Sequence, residues 1–259
     1  MRNAFAISGV VIKEMYRRKD FYVLFVLTVL ITLIMGSINI FGDDHIVRYL
    51  KEICLLLIWI SALIIAVTTA ARQIPAERES RTIFPLLAKP VSRAELMAGK
   101  FLGCWLASGA TLLIFYLFFG VLSGAREHTW PVLNYFQALW LHWIFLAIVI
   151  AAVLLGSVVF AAPSSNATIC LVVIIGILFL GGHLNRVAIG IPGVGGTLLY
   201  AAYYVMPHLE WYDVRDLITH ERPLISWLAC GGATLYGLGY TTLYLSLGWV
   251  VFRRKTLTL

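Results

Sequence analysis

Residues 136–161 read FQALWLHWIFLAIVIAAVLLGSVVFA, 26 residues without one Asp, Glu, Lys or Arg. As an α-helix the run is about 39 Å long at 1.5 Å per residue. The hydrocarbon core of a bilayer is about 30 Å thick, so 18 or more apolar residues in a row read as a span. Five further runs meet that test, at 21–41, 53–71, 101–123, 167–185 and 226–252. Together the six cover about half of the 259 residues. The whole chain is 61% hydrophobic and 13% charged. A soluble domain usually carries about a quarter charged residues. The prediction is an all-α polytopic membrane protein, one transmembrane domain over 1–259 with six transmembrane helices.

The charge of +7 is unevenly distributed. With the N-terminus inside, segments 1–20, 72–100, 162–166 and 253–259 hold 14 Lys and Arg. The opposite segments, 42–52, 124–135 and 186–225, hold 6 over a similar length. Cytoplasmic loops carry the Lys/Arg excess. Both termini are therefore expected in the cytoplasm, in a multi-pass protein of the cell (inner or plasma) membrane. Topology accounts for the basic character, and no basic groove or nucleic-acid signature is present. The charged first 20 residues, with Lys13, Glu14, Arg17, Arg18, Lys19 and Asp20, are unlike a signal peptide.

The connecting segments have their own patterns. In residues 3–20, Phe5, Val11 and Met15, with Ala4, Ile7 and Ser8, share a helical face, and Lys13 and Arg17 favour another. That suits an interfacial helix. Gly42, Asp43 and Asp44 mark a turn opening the loop 42–52. Trp140 and Trp143 are expected to anchor at the outer headgroups. Residues 162–166 make a tight turn, so spans four and five form a hairpin. The outer segment 186–225 holds a glycine-rich run, 190–196, then an apolar stretch, 197–206, too short to cross. It is predicted to be a re-entrant or outer helical element inside an outer cap. Cys54, Cys104, Cys170 and Cys230 fall in or beside apolar runs and read as small packing residues.

The segment 72–100 carries the functional signal. It reads RQIPAERESRTIFPLLAKPVSRAELMAGK. Glu77, Arg78, Glu79 and Arg81 place dense mixed charge at a membrane exit. Ile83, Phe84, Leu86 and Leu87 are apolar and need a cover. A charge-rimmed apolar patch there suggests a protein-docking surface. Pro90 breaks the chain. Ser92 with Glu95 three residues on is a capping box, opening a helix that runs through Lys100 into span three.

The runs Glu-Arg-Glu-Ser-x-Thr, Leu-Leu-Ala-x-Pro-Val-Ser-Arg-x-Glu-Leu and Gly-Lys-Phe-Leu-Gly resemble the cytoplasmic loop of ABC transporter permeases of the type-2 exporter class. The resemblance implies a coupling helix that sits in a groove of a separate ATPase subunit. On it would lie Glu77, Arg78, Glu79, Thr82, Phe84, Leu86 and Leu87. Pro90, Val91, Ser92, Arg93, Glu95 and Lys100 would form the re-entry turn. It further implies a pair of permease chains, identical or related, meeting two ATPase copies in membrane lipid. The family usually has glycine where Arg81 stands and no regular proline at Pro85, so the docking helix is expected to end early or bend.

No GxxxxGK[ST] phosphate loop is present, so this chain is not expected to hydrolyse ATP. It is expected to bind no cofactor or metal itself, with ATP and Mg²⁺ on the partner. The spans hold no charged residue in their cores, which argues against a carboxylate proton relay. Ser61, Ser108 and Ser157 lack a triad partner or a G-x-S-x-G motif. The alternative reading is a haem- or metal-binding membrane subunit using His142 and His183, near the outer ends of spans four and five.

Overall fold

Long runs of Leu, Ile, Val and Ala without internal proline fold as helices, and within a bilayer every backbone group must be satisfied inside the segment. The computed structural model describes residues 2–17, 22, 26, 29, 30, 33, 44–79, 92–191, 193–220 and 222–255. Among these there is no strand. The helices are α1 (Arg2–Tyr16), α2 (Asp44–Arg72), α3 (Pro75–Glu79), α4 (Arg93–Glu127), α5 (Val132–Val159), α6 (Pro163–Gly190), α7 (Val194–Val205), α8 (Asp216–Thr219) and α9 (Trp227–Arg254), with a 3-10 turn at Leu209–Tyr212. Five stretches are long and apolar enough to cross a membrane: Lys51–Glu79, Arg93–Ala125, Val132–Val159, Pro163–Gly181 and Trp227–Arg254. They match five predicted spans. The run 21–41 falls mostly outside the described residues; Tyr22, Val26, Val29, Leu30 and Leu33 within it are helical.

Several boundaries differ from the sequence reading. Residues 44–52, read as loop, form the first turns of α2. The segment 124–135 narrows to a link at His128–Pro131, where His128 closes α4 in the left-handed region (φ 55°). The turn read at 162–166 ends at Ala162, because Pro163 already opens α6. Proline is suited to the first helical position, where its missing N–H costs nothing. The edges of the apolar runs are therefore not the edges of the helices, which extend into the polar flanks.

The core is centred on α5, whose buried residues run almost unbroken from Gln137 to Val158. Helices α2, α4, α6 and α9 pack around it. Their outward faces are apolar: Phe179 on α6 is 80% exposed and Leu228 on α9 is 90% exposed. A helix in water turns a polar face outward. An apolar exterior on an apolar core fits a bundle of membrane-spanning helices.

Helix α1 lies along the start of α4. Ala4, Ser8, Val11 and Met15 are buried in the contact. A Cβ on Gly99 would stand 2.8 Å from the Ala4 carbonyl, and one on Gly103 would stand 2.6 Å from Val11 Cβ. Small residues four apart let two helix backbones approach. Phe5, grouped with Val11 and Met15 on one face by the sequence reading, is 65% exposed, whereas those two are buried. It follows Ala4 by one residue and so is rotated about 100° away from the contact.

Trp140 and Trp143 join helices to one another. The Trp105 and Trp143 rings stack at 4.5 Å. Trp105 Nε1 donates to the Trp143 carbonyl at 3.0 Å, and Trp143 Nε1 donates to the Trp105 carbonyl at 3.1 Å. Trp140 Nε1 donates to Thr234 Oγ1 on α9 at 3.0 Å. An indole N–H needs an acceptor when buried, and here neighbouring helices supply it.

The end opposite α3 is closed by a cap running from α7 to α8. The stretch predicted to be a short helix, 197–206, lies almost wholly in α7. Gly193 turns the chain into it with φ 86°. A Cβ on Gly196 would meet the Ile191 carbonyl at 2.1 Å, so only glycine fits there. The cap is held by polar joints. Tyr212 Oη donates to the Ala233 carbonyl at 2.7 Å, and Tyr240 Oη donates to the Val205 carbonyl at 3.2 Å. The His208 N–H donates to Tyr236 Oη at 3.1 Å. Gln137 exchanges two bonds with the Ile225 backbone, at 2.9 and 3.0 Å.

Candidate functional site

The basic end of the bundle gathers the C-termini of α2, α5 and α9 with the N-termini of α4 and α6. There the chain leaves α2 at Arg72, turns through Gln73 and Ile74, and forms α3. Ile74 is buried with Leu96 and Met97 of α4, Val158 of α5 and Phe252 of α9, and Ile7 of α1 packs on this cluster. It is a second small core, separate from the main one. Apolar burial at about 25 cal/mol per Å² is the force that fixes it.

Charge then orients α3. Glu77 pairs with Lys100. Lys100 is only 4% exposed, so the carboxylate compensates a cation removed from water. Glu79 is exposed, and Arg78 is half-buried. The sequence reading grouped Glu77 with Glu79 on one docking element. Two residues on an α-helix are about 200° apart, and the structure turns Glu77 inward and Glu79 outward.

The start of α4 is the capping box predicted at Ser92 and Glu95. Ser92 Oγ accepts from the Glu95 N–H at 3.1 Å, and Glu95 Oε2 accepts from the Ser92 N–H at 3.1 Å. Arg93 reaches α9: its Nη1 donates to the Phe252 carbonyl, and to the Arg253 and Lys255 carbonyls at 3.1 and 3.3 Å. Its guanidinium also stands over the Phe252 ring, 5.2 Å from the centroid. Thr82, Phe84, Leu86, Leu87, Pro90 and Val91 lie outside the described residues, as do Arg81, Ile83 and Pro85.

Two residues at this end escaped the sequence reading. Lys255 Nζ donates to the Val158 and Val159 carbonyls at 2.8 and 3.2 Å. Asn166, fully buried, donates to the Val153 carbonyl at 3.2 Å and to the Ala71 carbonyl at 3.4 Å. A Cβ on Gly156 would stand 2.3 Å from Asn166 Oδ1, so the close α5–α6 approach depends on that glycine. Asn166 stood in the sequence as the last residue of the turn 162–166; its burial shows only in the fold, and a buried amide must find partners.

The histidines of the alternative reading occupy different environments. His142 is buried, with Nδ1 3.4 Å from the Tyr116 hydroxyl and its ring stacked on Trp59. His183 is exposed on α6. Among the described residues, no group of three or more His, Cys, Asp or Glu side chains is placed to hold a metal ion. None of the four cysteines is in a disulfide.

No curated protein matches the chain. A family model described as "ABC-2 family transporter protein" matches residues 15–257, nearly its whole length. That match and the membrane-length apolar helices identify a multi-pass membrane permease. The chain belongs to the ABC-2 family of transporter proteins.

Proposed function

We propose that this chain is the membrane-spanning permease subunit of an ATP-driven exporter, coupled to a separate ATPase through the segment 72–100. Family membership supports association with an ABC ATPase and a permease role, not an ATPase role, for this chain. The observation that carries the docking site is the outward display of Glu79 on a short helix whose inner side is fixed by Ile74 and by the Glu77–Lys100 pair. A docking element must be charged outside and rigidly seated inside, or a push on it dissipates locally. In this reading the basic end faces the cytoplasm, with both termini, in accord with the Lys/Arg excess. The run 21–41 supplies a sixth span, α1 rests at the cytoplasmic interface, and α7 is an outer or re-entrant element. Two permease chains and two ATPase subunits make the machine, in the cell membrane. ATP and Mg²⁺ are bound by the partner.

The test is charge reversal at exposed Glu79 and half-buried Arg78. Arg78→Glu with Glu79→Lys, in the complex reconstituted in vesicles, is expected to lower ATPase association at least tenfold while the chain stays inserted. Unchanged association and unchanged hydrolysis in that variant would remove the segment from the interface.

A further inference from the structure

We propose that Arg93 and Lys255 form a clasp through which displacement of the docking segment reaches α9 and α5, and through α9 the cap. The inference rests on the docking reading above for its input, but the clasp stands on geometry alone.

The last carbonyls of a helix have no partner within it, and a cation there meets the negative end of the helix dipole. At the basic end, two helices are closed this way by side chains from elsewhere. Arg93, at the first position of α4, closes α9 through three carbonyls. Lys255, one residue past α9, closes α5 through two. The links run in series: docking segment, α4, α9, α5. Phe252 ties them further, being fully buried against Leu96, Met97 and Val158 beneath the Arg93 guanidinium. Met97 also fills the notch at Gly248, where a Cβ would meet its Cε at 2.6 Å. Ile74, one residue before α3, packs in the same cluster as Phe252, so the clasp borders the docking helix.

At its other end α9 carries the cap. Ala233, Tyr236 and Tyr240 make the three bonds to Tyr212, His208 and Val205 already described. Gly237 lets Ile144 of α5 and the Tyr212 hydroxyl approach, at 2.5 and 2.7 Å from where a Cβ would stand. One continuous helix, Trp227–Arg254, thus joins a cationic clasp at one end to the cap at the other. A shift of Arg93 pulls on carbonyls in the last turn of α9, and packed helices move as rigid units.

The experiment is hydrogen–deuterium exchange on the full chain, first alone and then with its ATPase, with and without ATP and vanadate. The variants are Arg93→Gln, Arg93→Lys and Lys255→Gln, with Arg254→Gln as control. In the chain alone, Arg93→Gln is expected to speed exchange about tenfold in the last turn of α9, and Lys255→Gln in that of α5. Arg93→Lys should restore part of the protection through its charge, and Arg254→Gln should match the parent. In the complex, trapping should alter exchange at 72–79 and, in the parent, also at 209–212 and 227–240. Arg93→Gln should keep the response at 72–79 but lose the response in the cap. Unchanged exchange in the isolated variants overturns the clasp. A cap response that persists in Arg93→Gln overturns its transmitting role. No response at 72–79 in the parent overturns the docking reading, and with it the role assigned to the clasp.

Discussion

Removing the carboxylate of Glu77 exposes how much the site depends on one ion pair. Lys100 is 4% exposed on α4, and Glu77 is its partner from α3. Breaking a buried pair by deleting one member typically costs about 3–5 kcal/mol, because the remaining charge is stranded. Glu77 retains 17% of its side-chain exposure, so the lower end of that range applies, about 3 kcal/mol. That is roughly a hundredfold in the unfolding constant. Lys100→Met keeps the volume and leaves a carboxylate that can rehydrate, for a cost of about 1 kcal/mol. The double variant Glu77→Ala with Lys100→Met removes both charges. It should lie within about 1 kcal/mol of the parent, as replacement of buried pairs by apolar residues often does. The coupling energy from the cycle should be about 3 kcal/mol. The assay is denaturant unfolding in mild detergent, followed by tryptophan fluorescence. Additivity of the two single costs within about 0.5 kcal/mol would refute the pair as the force that seats α3.

Other positions give sharper contrasts. Gly103→Leu should lift α1 from α4, seen as faster proteolysis of residues 2–17, whereas Gly9→Ala, with nothing within 4 Å of a Cβ, should be tolerated or slightly stabilising. Gly109→Ala puts a Cβ 2.3 Å from Trp143 Nε1 and should destabilise by about 1–3 kcal/mol; Trp143→Leu in the same chain should recover part of that on a denaturation curve. Tyr212→Phe loses one hydrogen bond at 2.7 Å and should cost about 1 kcal/mol. Gly237→Val, wedged between Ile144 and Tyr212, should cost more and raise proteolytic cutting in the cap.

The parts of this fold legible in the sequence are those with local causes. Apolar length marked five helices that the structure contains. The Ser92–Glu95 spacing located the start of α4 to the residue. The short apolar stretch near 197–206 was correctly kept apart from the spans. What was not legible needed distant partners. The acceptor of the Trp143 indole, the Trp105 carbonyl, is 38 positions away. Lys100, the partner of Glu77, arrives only when α4 folds back. Arg93 was legible as a turn residue, but its grip on α9 spans about 160 positions. The helix within residues 3–20 was legible, and its seat against Gly99 and Gly103 of α4 was not.

The central claim is that the segment after α2 meets an ATPase. The most direct measurement is photocrosslinking in native membranes, with p-benzoylphenylalanine at position 79 and, as control, at position 211 of the cap. The account predicts that position 79 yields an adduct with a protein bearing an ATP-binding phosphate loop, at a yield that changes when ATP is trapped with vanadate. Position 211 should give no such adduct. An ATPase adduct from position 211, or none from position 79 while the chain is inserted and folded, would contradict it.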